Sequence, residues 1–354
     1  MTDPDGSPPA EEATTPTPAD GGWVGVVANP ASGAGVGRLK AEALAAALKA
    51  RGFIVETAWT PADRAALVAR ANADPERRRL VAVGGDGTVS ALINERPEAP
   101  ITILPTGTEN LAAHHFQLDG DPEHLAGIVA AGKSAAVDLG VANGRRFLLM
   151  VGFGFDGDVV TRHHGLRTAS GSVRPTHRGA YVEPILRSSV CYRFPKIAAR
   201  IEDAGAEETL IGTTVFVFNL PRYALNLPFA PHARQDDGLL DLVVFRDPGP
   251  FHALYYLWRV LLGSHLKLSG VFHRRARRIA LSSRGIVPVQ IDGDPGGLLL
   301  PLGGAAEADP ALATTRDRWT VEVLPGALRV LVDPSWSPEP ASPPADLAAR
   351  GPFG

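Results

Sequence analysis

The chain has a single cysteine, Cys191, so an intramolecular disulfide and any multi-cysteine metal site are excluded. That usage fits a reducing cytoplasm. No stretch approaches about 18 uninterrupted apolar residues, so no membrane-spanning helix is expected. The acidic, Pro- and Thr-rich N-terminus lacks the basic-then-apolar order of a signal peptide. Charge of one sign is missing too: 35 Lys and Arg stand against 38 Asp and Glu, which gives no electrostatic basis for a nucleic-acid partner. What remains is an ordinary globular mixture, 45% hydrophobic and 21% charged over 354 residues, enough for two domains.

Residues 1–21 have almost no large apolar side chains, and 334–354 are similarly rich in Pro, Ala and Ser. Such segments cannot offset their ordering entropy, so both are expected to be disordered tails. From Trp23 to about Leu139, apolar strands alternate with helices. In RLKAEALAAALKAR, Ala41, Leu44 and Leu48 share a helical face and Gly52 is the stop. Thr60 caps a second helix, with Pro61 in its first turn and Asp63 at the capping-box position. LVAVGG and ITILP are two further short strands, each running into a glycine-containing turn. This alternation predicts an α/β domain over 22–137 with a parallel sheet covered by helices, and allows 315–333 to complete it. Over 138–314 short strands dominate, with a hairpin at Asn143-Gly144 and helices near 178–189 and 251–263. That part is expected to be a mainly antiparallel β domain. TVEVLPGALRVLV reads as a hairpin around Pro325-Gly326.

The most informative segment is LVAVGGDGTVSALIN. Gly84, Gly85 and Gly87 let the backbone turn sharply and approach a ligand with no Cβ in the way. The helix start after them suits phosphate, and Asp86, at the carboxyl edge of the sheet, can reach a magnesium ion on that phosphate. Thr88 completes the run. Two more turns share the edge: Asn29-Pro30-Ala31-Ser32-Gly33 after the first strand, and Pro105-Thr106-Gly107-Thr108-Glu109-Asn110 after ITIL. Gly33-Ala34-Gly35-Val36-Gly37 is no dinucleotide fingerprint, because position 38, where the third glycine of G-x-G-x-x-G would stand, is Arg. A Walker A run is absent.

The order NPASG, GGDGT and PTGTEN resembles the diacylglycerol kinase catalytic family, which includes bacterial lipid kinases and sphingosine and ceramide kinases. Val137-Asp138-Leu139-Gly140, GFGFD at 152–156, Arg178-Gly179 with Tyr181, Asn219, the run from Pro231 to Asp241, and Asp292-Gly293-Asp294 extend the resemblance over about residues 23–332. It implies an ATP-dependent lipid kinase with an N-terminal nucleotide-binding domain and a β-rich lipid-binding domain. The site residues it implies are Asn29, Pro30, Ser32 and Gly33, then Gly84 to Thr88, then Gly107, Thr108 and Asn110, all toward ATP. It adds Thr57 from the second strand. It also implies a magnesium ion in the second domain, held by Asp237 and the backbone carbonyls of Arg234 and Leu239. Asp294 becomes the base, acting with Asp86. The family's late motif usually ends in Asp-Gly-Glu, so Asp294 is one methylene shorter than usual.

Several alternatives stay open. Asp236-Asp237-Gly238 is equally a turn into a strand, and Asp294 equally a turn residue before Pro295. An NAD kinase-like phosphotransferase and a catalytically degenerate nucleotide or lipid binder are the rival functions. The histidines at 114, 115, 163 and 164 read as surface or core residues. FHALYYLWRVLL reads as core packing or as a lipid-facing wall. The basic run from His273 to Arg278 reads as solvated or as attracted to an anionic membrane. The expected setting is the cytoplasm, with peripheral contact to a lipid surface, no nucleic acid, and a homodimer allowed.

Overall fold

The computed structural model describes residues 22–30, 32–168, 178–203, 206–302 and 317–338. The expected tails at 1–21 and 339–354 lie outside the described residues.

Three buried apolar strands and one half-buried edge strand begin the first sheet. They are β1 (Trp23–Ala28), β2 (Ile54–Ala58), β3 (Arg78–Gly84) and β4 (Ile101–Pro105), all parallel in the order β2-β1-β3-β4. Helices α1 (Val36–Ala50), α2 (Pro61–Asn72), α3 (Asp86–Asn94), α4 (Leu111–His115) and α5 (Pro122–Ala131) connect and cover them. Ala41, Leu44 and Leu48 of α1 are buried on one face as their spacing predicts. Each leucine side chain so buried contributes about 1.5–3 kcal/mol. Thr60 caps α2, its hydroxyl oxygen accepting from the Asp63 N–H at 3.2 Å.

The rest of the chain is β5 (Ser134–Ala142), β6 (Arg145–Phe147), β7 (Met150–Gly154), α6 (Phe155–Thr168), α7 (Val182–Cys191), β8 (Ile197–Asp203), β9 (Ala206–Gly212), β10 (Thr214–Phe218), β11 (Leu240–Phe245), α8 (Pro250–Leu261), β12 (Val271–Ala276), β13 (Arg278–Ser283), β14 (Val287–Ile291), β15 (Asp294–Leu299) and β16 (Arg318–Leu331). Between β5 and β6, Asn143 and Gly144 take φ of 47° and 86°, the left-handed pair a two-residue hairpin requires. A second, antiparallel sheet runs β12-β11-β10-β7-β14-β15. One of its faces packs on β8, β13 and β16 of the first sheet through Phe153, Val217, Leu242, Ile279, Leu281 and Trp319, forming a sandwich core. Its other face turns Phe216, Phe218 and Phe245 toward the α/β part.

The segment around Pro325-Gly326 is not a hairpin. β16 pairs antiparallel with β5 on both sides of it, from Val321↔Ala142 to Leu331↔Ser134, with a register shift between Leu324 and Leu328. The extra residues bulge opposite Asp138, whose carboxylate accepts the Gly326 N–H at 2.7 Å. The strand bulges where its residues resemble a turn. β16 thereby reaches β4, pairing Val330 with Ile101. Residues 334–338 are also not tail-like: Trp336 is buried against Phe116, ring centroids 5.9 Å apart, and Lys133 donates to the carbonyls of Pro334 and Trp336. Helix α6 was not expected, and the two expected helices occupy 182–191 and 250–261.

Candidate active site

Three turns leave the carboxyl ends of β1, β3 and β4 and lock onto one another. Asn29 donates its N–H to the Val83 carbonyl at 3.1 Å, and the hydroxyls of Ser32 and Thr106 are hydrogen-bonded. Gly33 has φ of 59°, and a Cβ there would strike the Thr106 carbonyl. Asn110, at φ 49°, clamps Gly107 from both sides: its Oδ1 accepts the Gly107 N–H at 2.9 Å and its Nδ2 donates to the Gly107 carbonyl at 2.8 Å. Gly84 is buried under Thr88.

Asp86 joins two of these turns. Its Oδ2 accepts the Leu111 N–H and its Oδ1 the Ala112 N–H, each at 3.0 Å, so the first N–H groups of α4 are capped from α3. Burial pushes the Asp86 carboxyl above the usual range, against the pull of those two donors. The carboxylate thus packs as a rivet between turns, where the sequence suggested a free loop carboxylate aimed at magnesium.

One cavity of about 1090 Å³ begins at these turns. Asn29, Pro30, Ser32 and Gly33 line it, as do Gly85, Asp86, Gly87 and Thr88, and Gly107, Thr108 and Asn110. Thr57 is not on its lining, whereas Ala58 to Pro61 are; successive strand side chains point to opposite faces, which separates Thr57 from Ala58. The far end of the cavity is apolar and aromatic, with Phe216, Leu227, Phe229, Phe245 and Val260.

Asp294 also lines the cavity, next to the glycine turn that carries Gly87. Asp292 and Gly293, at φ 51° and 84°, make the tight turn from β14 to β15 and leave Asp294 as the first residue of β15. Its Oδ2 lies 3.8 Å from where a Cβ on Gly87 would sit, and 3.9 Å from Nη2 of Arg145. Its side chain is 44% exposed. Asp292 itself is buried and fixes the turn: its carboxylate accepts the N–H groups of Leu148, Leu149 and Met150 at 2.8–3.1 Å. Burial still raises its pKa to about 6.

Two further groups had no role in the sequence reading. Asp156, last residue of the GFGFD run, lines the cavity and accepts from Nε2 of Gln290 at 2.7 Å and from the Tyr223 hydroxyl. It keeps some surface toward the cavity but lies deep in the molecule, and burial raises its pKa to about 6. Tyr181 also lines the cavity, stacked on His163 with centroids 4.0 Å apart. Only the motif order could have flagged these residues, because their partners are more than 60 positions away in the chain for Asp156 and in separate helices for Tyr181.

The residues expected to hold a second-domain metal lie in the loop before β11. Asp237 Oδ1 accepts the Leu239 N–H at 3.1 Å, and Oδ2 accepts from Nη1 of Arg275 at 3.0 Å. Arg234 directs its guanidinium to Asp236. The loop is held by Asp138, which accepts the Gly238 N–H at 2.6 Å. Among the described residues no group of three or more His, Cys, Asp or Glu side chains could hold a metal ion. In this arrangement the Arg275 guanidinium meets the one carboxylate that the expected site would use.

Comparison with known proteins gives the same outline. The family described as "Diacylglycerol kinase catalytic domain" matches residues 24–142, and "YegS C-terminal NAD kinase beta sandwich-like domain" matches 150–332. A diacylglycerol kinase of Mycobacterium tuberculosis is 30% identical over 300 residues, 82% of this chain and 93% of that protein. One from Staphylococcus carnosus is 26% identical over 226 residues, 62% of this chain and 71% of that protein. The crystal structure of a putative diacylglycerol kinase from Bacillus anthracis superposes with a TM-score of 0.65 at 19% identity, covering 91% of this chain and 98% of that one; this likeness speaks to the fold.

Proposed function

The chain belongs to the diacylglycerol kinase catalytic family, and from that premise we propose that it transfers the γ-phosphoryl group of ATP to the hydroxyl of a diacylglycerol- or sphingoid-like lipid. The observation that carries this reading is one cavity lined by the glycine turns, by an aromatic wall and by Asp294. The turns bring bare backbone toward the phosphates. Magnesium enters with the nucleotide as part of the substrate. Asp294 takes the hydroxyl proton as the lipid oxygen bonds to the γ-phosphorus and the bond to the departing ADP oxygen breaks. With so little covalent chemistry to perform, the protein acts by positioning and by stabilising charge. No helix among the described residues is long and apolar enough to cross a membrane, so the lipid is met from the side.

An NAD-phosphorylating reading would bring a charged dinucleotide against Phe216, Phe229 and Phe245, where its polar groups would lose water without replacement partners. The test is labelled-ATP phosphorylation of a mixed lipid extract, and of NAD in parallel, with mass analysis of the products. Labelled lipid is expected. Labelled NAD, or ATP binding with no labelled product, would replace this reading with one of the two rivals.

A further inference from the structure

Helix α8 is apolar on two opposite faces. Ala253, Tyr256, Leu257 and Val260 turn inward to the cavity. Phe251, Leu254, Tyr255, Trp258, Leu261 and Leu262 form an outward stripe at spacings of three and four. Phe251 is 86% exposed and Trp258 53%. A surface helix that is apolar nearly all round calls for a cover. Helix α7, which contacts α8, adds exposed Val182, Leu186 and Val190 at spacings of four. Val182, Leu225 and Leu254 are at once exposed and part of the cavity lining, so the patch is the rim of the cavity mouth.

We infer that this α7–α8 rim is the surface by which the chain docks on a phospholipid bilayer, with the cavity mouth opening onto the acyl chains. The inference rests on the lipid-kinase reading for its direction of entry. The continuity of the patch with an apolar cavity selects a bilayer as occupant, since the bilayer supplies a ligand that fits that cavity. Tyr255 and Trp258 bring the aromatic rings favoured at a membrane interface, and the Tyr255 hydroxyl meets Nη1 of Arg259 at 3.0 Å as a polar edge. Charge is a lesser part of the attraction. On α7, Glu183 and Arg187 pair with each other. The basic run, read as solvated or as attracted to an anionic membrane, is largely paired: Arg274 with Glu208, Arg275 with Asp237, and Arg278 with Glu202 and Glu322. Docking is therefore driven by apolar burial and persists on neutral lipid at high salt.

The experiment is flotation of the full chain with neutral phosphatidylcholine vesicles, for wild type and for Phe251→Glu, Trp258→Glu and Leu262→Glu, none of which lines the cavity. Each substitution should lower vesicle partitioning by about tenfold or more, leave the unfolding temperature near that of wild type, and leave turnover of a dispersed short-chain lipid unchanged. Should a variant fail to fold, the wild type still reports: brominated phosphatidylcholine should quench its tryptophan fluorescence, and Trp258→Phe should remove that quenching. Unchanged partitioning in the variants, wild-type binding abolished by salt, or variants that split a dimer while still binding vesicles would overturn the inference. Vesicle binding is read without turnover, so binding with no phosphorylated product would sink the kinase reading and leave the docking surface standing.

Discussion

Gly107 lies so close to Gly85 that a Cβ on Gly107 would sit 2.7 Å from the Gly85 Cα. Two of the turns proposed to hold ATP thus touch backbone to backbone, and a Cβ on Gly85 would lie 3.2 Å from the Gly107 Cα. Gly107→Ala should push them apart, lowering ATP affinity at least tenfold and costing about 1–3 kcal/mol in stability, the usual range for overpacking. Gly127→Ala is the control: it lies inside α5 with nothing within 4 Å of its Cβ position and should gain about 0.5–1 kcal/mol. Calorimetric ATP titration beside denaturant curves would check both. Equal ATP affinity in Gly107→Ala and wild type would break the claim that contact between the turns shapes the site.

Asp86 now carries a structural prediction as well as a functional one. Asp86→Ala leaves the Leu111 and Ala112 N–H groups without their acceptor, at about 1–3 kcal/mol each where water cannot replace it. Activity should be lost together with stability, detected as a lower denaturation midpoint in the same preparation that is assayed. Lost activity at full wild-type stability would return Asp86 to the role of a free carboxylate on the nucleotide's magnesium.

The parts of this molecule that were legible in the sequence are those whose signals are local. The apolar strands running into Asn29-Pro30, Gly84-Gly85 and Thr106-Gly107, the Thr60 cap and the Asn143-Gly144 turn are all set by neighbours within a few residues. Pro325-Gly326 misled because a bulge and a turn use the same residues; what decides is Asp138, nearly two hundred positions earlier, waiting to accept the Gly326 N–H. Helix α6 carried little signal because its Asp, Gly and His residues blur the apolar stripe that Val159 and Val160 bury. The basic run looked like a patch because Glu202, Glu208 and Asp237, its partners, come from β8, β9 and the loop before β11, more than thirty positions away.

The Asp237–Arg275 pair makes a prediction about magnesium. Because the guanidinium already meets the carboxylate, chelator should leave the unfolding temperature of the nucleotide-free wild type unchanged. Asp237→Asn should shift the magnesium requirement of turnover no more than it shifts the Michaelis constant for ATP. Arg275→Gln frees the carboxylate, and added magnesium should then raise the unfolding temperature. A wild-type protein that melts earlier in chelator would restore a resident ion at this loop.

The cavity carboxylate Asp156 predicts a pH dependence. Its pKa near 6 lies above that of an unfolded aspartate, so between roughly pH 4 and pH 6 the folded state binds more protons than the unfolded one. Its contribution to stability therefore falls as pH rises through that window, by at most about 1.4 kcal/mol per pH unit. Asp156→Asn removes the titration while keeping an acceptor for Tyr223. The stability of the variant relative to wild type should rise from pH 4 to pH 6 and be flat above. A difference independent of pH would show that Asp156 stays ionised throughout.

Asp294 is where the sequence departs from the Asp-Gly-Glu ending that its resemblance leads one to expect, and its substitutions should have opposite signs. The tight turn at Asp292-Gly293, riveted to β7 by the Asp292 carboxylate, fixes the backbone of Asp294, so only side-chain length and charge vary. Asp294→Asn keeps the size and removes the charge that accepts a proton; as a general base, its loss should cost about 10²–10⁴ in turnover with ATP affinity little changed. Asp294→Glu adds one methylene. Gly87 stands on one side and Arg145 on another, so the longer chain extends along the open cavity toward the substrate hydroxyl and should retain or raise turnover. Steady-state kinetics on vesicle-borne lipid, with ATP affinity measured separately, would separate the cases. Opposite outcomes for Asn and Glu identify a base. Two silent substitutions identify a turn residue, and the proton must then leave by another route. Turnover in the Glu variant alone would mark the natural chain as a kinase that kept its nucleotide turns after its base lost reach.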